Sequence, residues 1–531
     1  MAESPGPPPV TAQVLRRRPI ALATVCAVLF LTFLDTTIVS VALASIQSSL
    51  HAGVSALQWV VGAYALTFAS AMLVFGVAAD QFGRKRVMLA GIGVYCAGAV
   101  LTALSVSIAP SAAIAVLLAG RAVMGLGAAA SEPGTLSIIR HMYPEQRLRN
   151  RALGVWAAVS GFSLALGPVI GGALVGAWDW HAVFWFDAIL GGVAFAAAAI
   201  VLPKSADPDT RRIDMTGGAL GAACLASGVF AVISAEAAGF GSPEVIALLC
   251  VSAVSAAAFA WRERRTARPV LDLRYLRVPR FTTPNLVAFG TYFATFAIFF
   301  FTALYLTEVS GYTGYRIAGI FLPMTALMIA ASLLAGRWTS AAGIRWSLVG
   351  GCAVFATGLI ATSVLVRPNP PFVPLAAALA LAGIGIGACV VPITSSVLAS
   401  VPPQRSSMAA AATSTSREVG AVLGVAVLGA LVNGRLHADL TARLTHLGIP
   451  AGFQEVVISA LETGGVPSSG ASPGQGPPGE GKLVQEVIHA AYSAFGSGLH
   501  IALYLSAALM IVVGVLALVT LGGDATTHAV D

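Results

Sequence analysis

Unbroken apolar stretches of 20 or more residues recur from Pro19 to Gly522, and no other feature of this chain constrains its fold as strongly. A helix rises about 1.5 Å per residue, so about 20 such residues cross roughly 30 Å of hydrocarbon. Within lipid every backbone N–H and C=O must find its partner inside the protein, which leaves helices or a closed barrel. A barrel would show segments of about ten residues alternating in polarity. No such alternation is visible, so the chain is expected to be an all-α integral membrane protein. Its residues are 57% hydrophobic and 10% charged, a balance far from that of a water-soluble domain.

The apolar runs place fourteen transmembrane helices at roughly 19–42, 55–79, 87–108, 112–139, 152–177, 182–202, 214–236, 242–261, 282–308, 315–336, 346–366, 371–399, 408–432 and 497–522. Arg16, Arg17 and Arg18 before the first run resemble the start of a signal peptide. That run is too long for one and many spans follow it, so it is read as the first membrane helix. With this count most of the 30 lysines and arginines fall in loops on one side. They include Arg84–Arg86, Arg140 to Arg151, Lys204 to Arg212, Arg262 to Arg280, Arg337, Arg345 and Arg405. Positively charged loops stay in the cytoplasm, so both termini are expected there and the protein is expected in the cell membrane. The net charge of +7 is accounted for by these loops, and no nucleic-acid partner is implied. The six cysteines lie in apolar runs without ligand or redox spacing, and no metal site is expected.

The one long segment between spans, 433–496, is placed outside the cytoplasm. Its ends around Val456–Leu461 and Val484–Ala494 are apolar enough for helix, and its middle, Gly464–Gly481, is rich in Gly, Pro and Ser and is expected to be disordered.

Between the second and third spans stands Gly76-Val-Ala-Ala-Asp80-Gln-Phe-Gly83-Arg84-Lys85-Arg86. Its glycines permit a tight turn, its aspartate can cap a helix or pair with arginine, and its cations anchor the cytoplasmic face. Read as Gly-x-x-x-Asp-x-x-Gly-Arg-Lys-Arg, it resembles the hallmark loop of the major facilitator superfamily. Leu34-Asp35-Thr36-Thr37 through Leu43 resembles the first-helix signature of that superfamily's fourteen-helix drug:proton antiporter branch, with Ser40 where Asn is usual. Gln58-Trp59-Val60 with Tyr64 resembles its second helix, and Gly120-Arg121 to Gly127 its fourth. Gly161 followed by Gly167-Pro168-Val-Ile-Gly171-Gly172 resembles the antiporter signature of the fifth. Pro269-Val-Leu-Asp272-Leu273 and Arg417-Glu418-Val-Gly420 continue the likeness into the second half. Asp187 stands where the family often has Asn, and Trp180-His181 replaces the more usual Trp-Arg; both departures bear on local loop contacts. A degenerate copy of the hallmark loop, Gly336-Arg337 to Gly343-Ile-Arg345 with Ser340 in place of the aspartate, points to an internal repeat.

The resemblance implies a six-helix bundle at 19–202, a linker at 203–281 carrying two inserted helices, and a second six-helix bundle at 282–522. Tails at 1–18 and 523–531 flank them, and the two bundles enclose a central cavity opened alternately to each side. It also implies export of small hydrophobic or cationic organic compounds against entry of protons, with no cofactor and no enzymatic reaction. A monomer is expected. A charge inside hydrocarbon costs about 2.5–3.5 kcal/mol on insertion scales, so each one marks a candidate functional group. Asp35 and Arg121 lie at similar depths, about 11 Å and 13 Å from the outer ends of their spans. They are expected to face the cavity and meet there, or else to form a fixed ion pair between two helices. An arginine favours an ionised carboxylate and loss of water favours the acid, so such a pair can take and release a proton as its surroundings change.

Glu132 follows Arg121 by 11 residues, which returns it to within about 20° of the same helix face, nearer the cytoplasm. It either faces the cavity or reaches cytoplasmic water from the helix end. Arg417 and Glu418 point about 100° apart, and a gating or structural role is expected of them. Pro168 and the glycines around it remove bulk and one backbone donor, permitting close helix approach and a seal against proton leak. Tyr292, Phe296 and Phe299 share one helix face, either as an aromatic cavity wall or as packing or lipid-facing residues. Nothing in the chain resembles a P-loop or a nucleophile constellation, so an ion gradient is the expected energy source. The alternatives are a dedicated exporter of an endogenous metabolite and, more remotely, a membrane sensor or scaffold.

Overall fold

The computed structural model describes residues 12–522 apart from 109, 144, 203–213, 240, 267–268, 403–404 and 447–479. The described residues form helices and their connecting turns, with no strand among them. The first half comprises α1 (Ala12–Leu50), α2 (Val54–Phe82), α3 (Arg84–Ala103), α4 (Ala113–Met142), α5 (Gln146–Ala177) and α6 (His181–Val201). Then come α7 (Met215–Ala238) and α8 (Pro243–Arg265). The second half opens with α9 (Pro279–Phe296), which continues through a π-helical turn at Ala297–Thr302 into Ala303–Glu308. The helical run Gly314–Leu365 breaks at Gly343 into α10 and α11, followed by α12 (Phe372–Ala399), α13 (Ser406–His446) and α14 (Glu480–Thr520).

Among the described residues twelve helices are long and apolar enough to cross a membrane, the broken run Gly314–Leu365 counted as one. A shorter apolar stretch, Ala56–Met72, lies in α2.

The two loop signatures are built alike. Gly83 turns α2 into α3 at φ 100°, and Gly343 turns α10 into α11 at φ 79°, a region that costs other residues roughly 1–2 kcal/mol. The degenerate copy thus repeats the turn while losing the aspartate. Lys85 supports the first turn by donating to the carbonyls of Ala199 and Leu202, each at 2.7 Å. These are end groups of α6 that have no partner within the helix.

The inserted pair lies along the seam between the halves, because α7 packs on both α2 and α13. Trp59 and Phe230 meet at 5.2 Å between ring centres. α8 presents exposed Ile246, Val251, Val254 and Trp261 to the surroundings, as a lipid-facing helix would. Asp214 caps α7 through the Gly217 N–H and holds Arg262 of α8 at 2.7 Å. Burial alone would raise its pKa, but these bonds outweigh burial and lower it.

Several helices exceed their expected spans, α1, α13 and α14 by the most. α1 runs from Ala12 to Leu50, so Asp35 sits deeper from the helix end than the sequence expectation. α13 continues to His446, so 433–446 is helix where a loop is expected, and α14 begins at Glu480, so the helix-capable end around Val484–Ala494 is helix and joins the last span without a break. The reason is an apolar stripe, Leu436, Leu440 and Leu444, spaced one turn apart and packed on Ala490, Ala491 and Ala494. Val456–Leu461 and most of the Gly/Pro/Ser-rich stretch lie outside the described residues.

Asp272, between α8 and α9, clips the second half together at one end. It accepts from the Arg274 backbone at 3.1 Å and side chain at 2.9 Å, and pairs with Arg405 before α13. Burial pushes its carboxyl up, yet the Arg274 and Arg405 bonds prevail and bring it from 3.8 to about 2. A lowered folded pKa means the clip contributes fully above the ordinary value and is lost as pH falls toward the folded one. Arg274 is largely exposed and screened, so Asp272→Asn is expected to cost about 1 kcal/mol, with a loss that is constant near neutrality. Thermal unfolding in detergent measures it; an unchanged melting temperature removes the clip from the stability of the fold.

Candidate functional site: a buried charge cluster

Arg121 is held where α1, α2, α4 and α6 converge. A Cβ built at Gly120 would lie 2.2 Å from Thr102 Oγ1, and one at Gly125 would lie 2.3 Å from the Tyr64 carbonyl. Only glycine permits α4 to approach α3 and α2 this closely. The guanidinium Nη1 donates to both oxygens of Asp35, at 2.6 and 2.8 Å, and Nε donates to the Val60 carbonyl at 2.9 Å. Its carbon lies 4.6 Å from the centre of the Tyr64 ring and 5.9 Å from that of Phe184. Tyr64 in turn donates to the Thr32 carbonyl of α1 at 3.1 Å. Asp35 is 0% and Arg121 1% exposed, so the two sequence-predicted charges do meet, directly and out of reach of water. Removing one partner of such a pair leaves the other buried and uncompensated.

Glu132, three turns along α4, is 3% exposed and accepts a hydrogen bond from Ser414 of α13 at 3.1 Å. It therefore faces the second half rather than water beyond the helix end. Arg417 lies near enough to attract it, donates to Thr394 at 3.1 Å and sits 5.7 Å from the Tyr292 ring centre. Glu418 is buried near Glu132 and Arg417, and its Oε2 has no hydrogen-bond partner. Glu132, Arg417, Glu418 and Tyr292 thus form a second cluster, drawn from both halves.

The aromatic expectation is changed by the π-helical turn at Ala297–Thr302, which inserts an extra residue per turn into the register. Tyr292 and Phe296 precede it, whereas Phe299 lies within it and packs on Phe321 of α10 at 5.6 Å. All three are buried within the protein, which excludes the lipid-facing alternative. Of the hallmark loop, Gly83, Arg84, Lys85 and Arg86 form the turn into α3, and Gly76 lies on the α2 face toward Pro133. The Asp80 side chain lies outside the described residues.

The glycines of the fifth-helix signature divide between two faces of α5. Cβ atoms on Gly167 and Gly171 would lie 2.0 Å from Thr37 Oγ1 and 2.6 Å from the Ile38 carbonyl of α1. One on Gly172 would lie 2.7 Å from the Gly314 carbonyl of α10, and one on Gly161 3.0 Å from Ser332 Oγ. Pro168 lies buried between these contacts, within the helix. α5 is thereby wedged against the first helix of its own half and across the seam to the second half.

Asp187 is the residue that sequence reasoning placed in loop contacts. It is 0% exposed inside α6 and stands beside Asp35 and the Tyr95 hydroxyl. The signal was available, since the departure from Asn falls one turn after Phe184 inside an apolar run.

A bundle of this architecture with a buried carboxylate–arginine pair between its first and fourth helices has the construction of a membrane carrier. Residues 25–425 match the Major Facilitator Superfamily, and the chain belongs to that family. It is 31% identical over 433 residues to the multidrug resistance protein Stp of Mycobacterium tuberculosis, covering 82% of this chain and 79% of that protein. It is 29% identical over 514 residues to the tetracenomycin C resistance and export protein of Streptomyces glaucescens, covering 96% and 93%. Among solved structures it resembles a bacterial homolog of the human lysosomal transporter Spinster in an inward-facing, unoccupied conformation. The TM-score is 0.61 at 16% identity, covering 94% of this chain and 98% of that one.

Asp35→Ala and Arg121→Ala are each expected to destabilise the protein by about 3–5 kcal/mol, and the double variant by much less than the sum. Denaturation of the purified variants in detergent gives the coupling; additive losses would mean that the two side chains stabilise the fold independently.

Proposed function

We propose that this protein exports small hydrophobic or cationic organic compounds from the cell in exchange for protons, by alternating access between its two halves. The observation that carries the reading is the buried Asp35–Arg121 pair within a major facilitator bundle: a carboxylate whose counter-ion is fixed on a neighbouring helix. The names of the relatives, multidrug resistance and tetracenomycin C resistance and export, support the substrate class and the outward direction. In this reading the chain crosses the membrane fourteen times, α2 and the two parts of the broken run each counting once. Its termini are cytoplasmic, and it works as a monomer with no cofactor.

The cycle follows from charge. Facing outward, the cavity takes a proton and releases substrate. Protonation of the carboxylate site at Asp35 changes the charge balance around Arg121, which alters how α1 and α4 pack with their neighbours and lets the halves reorient. Glu132, held by Ser414 across the seam, is the second carboxylate that this movement uncovers. Facing the cytoplasm, the proton leaves and new substrate enters. A proton falling through 100 mV releases about 2.3 kcal/mol, enough for more than a tenfold concentration of substrate. Arg417, Glu418 and Tyr292 border Glu132 and act in closing the seam. A second reading, export of a single antibiotic, is favoured by the likeness to the tetracenomycin C protein over nearly its whole length.

Inverted membrane vesicles energised by respiration are expected to accumulate ethidium, and a protonophore is expected to abolish the uptake. Asp35→Asn at normal expression should lose this uptake and Glu132→Gln should reduce it. Uptake that survives Asp35→Asn removes that residue from coupling, and absence of ethidium uptake in the wild type selects the narrower substrate.

A further inference from the structure

Around Arg121 the charges do not balance. Two carboxylates, Asp35 of α1 and Asp187 of α6, share the neighbourhood of one guanidinium, and all three side chains are buried. Arg121 donates to Asp35, to the Val60 carbonyl and, weakly, to Met124 Sδ at 3.8 Å, and none of these partners is Asp187. Neither oxygen of Asp187 nor the Tyr95 hydroxyl has a partner in good hydrogen-bond geometry, although Asp35 and Tyr95 stand close enough to Asp187 to interact with it. The approach of α6 is close: a Cβ built at Gly191, one turn beyond Asp187, would lie 2.5 Å from Cys96 Sγ of α3 and 3.4 Å from Leu31 of α1. Leu31 is itself one turn before Asp35. The titratable and charged groups facing Asp187 are therefore Asp35 from α1, Tyr95 and Cys96 from α3, and Arg121 from α4, with Tyr64 of α2 lying over the guanidinium.

An ionised carboxylate without donors, next to a second anion and sealed from water, is among the costliest arrangements a protein can bury. A proton removes the cost. Two carboxyl groups sharing one proton are a known solution when like charges lie too close for both to ionise. We propose that Asp35 and Asp187 form a single two-carboxylate proton site, in which Arg121 holds Asp35 as the anion and Asp187 carries the exchangeable proton. This deepens the proton-exchange reading above and rests on it.

The step is a simple proton transfer. A hydronium ion on the outer side gives a proton to an Asp187 oxygen, its own O–H bond breaking to leave water as the carboxyl O–H forms, and the cluster then holds one negative and one positive charge. When the halves reorient, that O–H bond breaks and the proton passes to water on the other side. The second anion left behind competes with Asp35 for Arg121 and draws α4 toward α6. Discharge of the proton is in this way converted into strain across three helices.

Asp187→Asn preserves shape and installs the residue that the family resemblance places there, so it is the variant of choice. In purified protein reconstituted in lipid, the infrared difference between wild type and Asp187→Asn at neutral pH is expected to contain the carbonyl stretch of a protonated carboxylic acid. Absence of that band overturns the proposal, whether or not either protein transports. In vesicles with the membrane potential clamped at zero, the logarithm of ethidium accumulation is plotted against the pH difference. The slope is expected to fall by about one proton per substrate molecule in Asp187→Asn. Equal slopes at equal expression also overturn the shared site. Wild-type accumulation that ignores the pH difference defeats the proton-exchange reading instead, and the infrared band then decides the carboxylate pair on its own.

Discussion

The bond between Arg121 and Asp35 organises the first half of this protein. Two opposite charges, each nearly without solvent contact, are stable in the bundle only while they face one another. That requirement fixes the rotation of α1 and α4 about their axes. The remaining contacts of the guanidinium, with the Val60 carbonyl and the faces of Tyr64 and Phe184, fix α2 and α6 around the same point. Hydrophobic packing alone gives little orientation in a membrane, because lipid is as apolar as the helix surfaces it replaces. A single buried guanidinium supplies the direction that packing lacks.

Close approach of backbones supplies the rest. Glycines in α3 and α4 let those helices interlock, and the α5 glycines let one helix touch α1 on one side and α10 on the other. The seam between the halves is thus made partly of small residues, which can separate without breaking strong polar bonds. The Ser414 to Glu132 hydrogen bond crosses it, and a single bond of this kind can be exchanged during a reorientation. The inserted α7 and α8 cover the seam from one side, with α7 touching both halves and α8 facing outward.

Much of this was legible from residues. Hydrocarbon leaves so few options for a backbone that apolar runs announce helices, and a charge in such a run announces a buried polar partner, as Asp35, Arg121 and Glu132 each have. The two loop copies were legible too, since a glycine at positive φ leaves a mark in sequence, and Gly83 and Gly343 both carry it. Other features were hidden because they depend on partners. Helical continuation past 433 needs the stripe of Leu436, Leu440 and Leu444 to find Ala490 and Ala494, and neither segment declares the other. The π-helical turn at Ala297–Thr302 shifts Phe299 out of the register that simple periodicity assigns. Asp187 was visible as a departure from Asn, yet its meaning needed the fold, because only packing of α6 on α1 brings it to Asp35.

α4 links the two charge clusters. Arg121 and Glu132 are 11 residues apart on nearly the same face of one helix, about 16 Å along its axis. Both lie on one continuous helix, although Pro133 removes the backbone bond to the Ala129 carbonyl between them, so a change in the partner of Arg121 is carried along α4 toward Glu132. In the proposed cycle, a shift of α4 toward α6 at one cluster must alter the geometry of the Glu132–Ser414 bond at the other. That bond joins α4 of one half to α13 of the other. The same motion therefore reads the proton state within the first half and expresses it at the seam, where access to substrate is decided. No separate relay between the clusters is needed, because the backbone of α4 is already continuous between them.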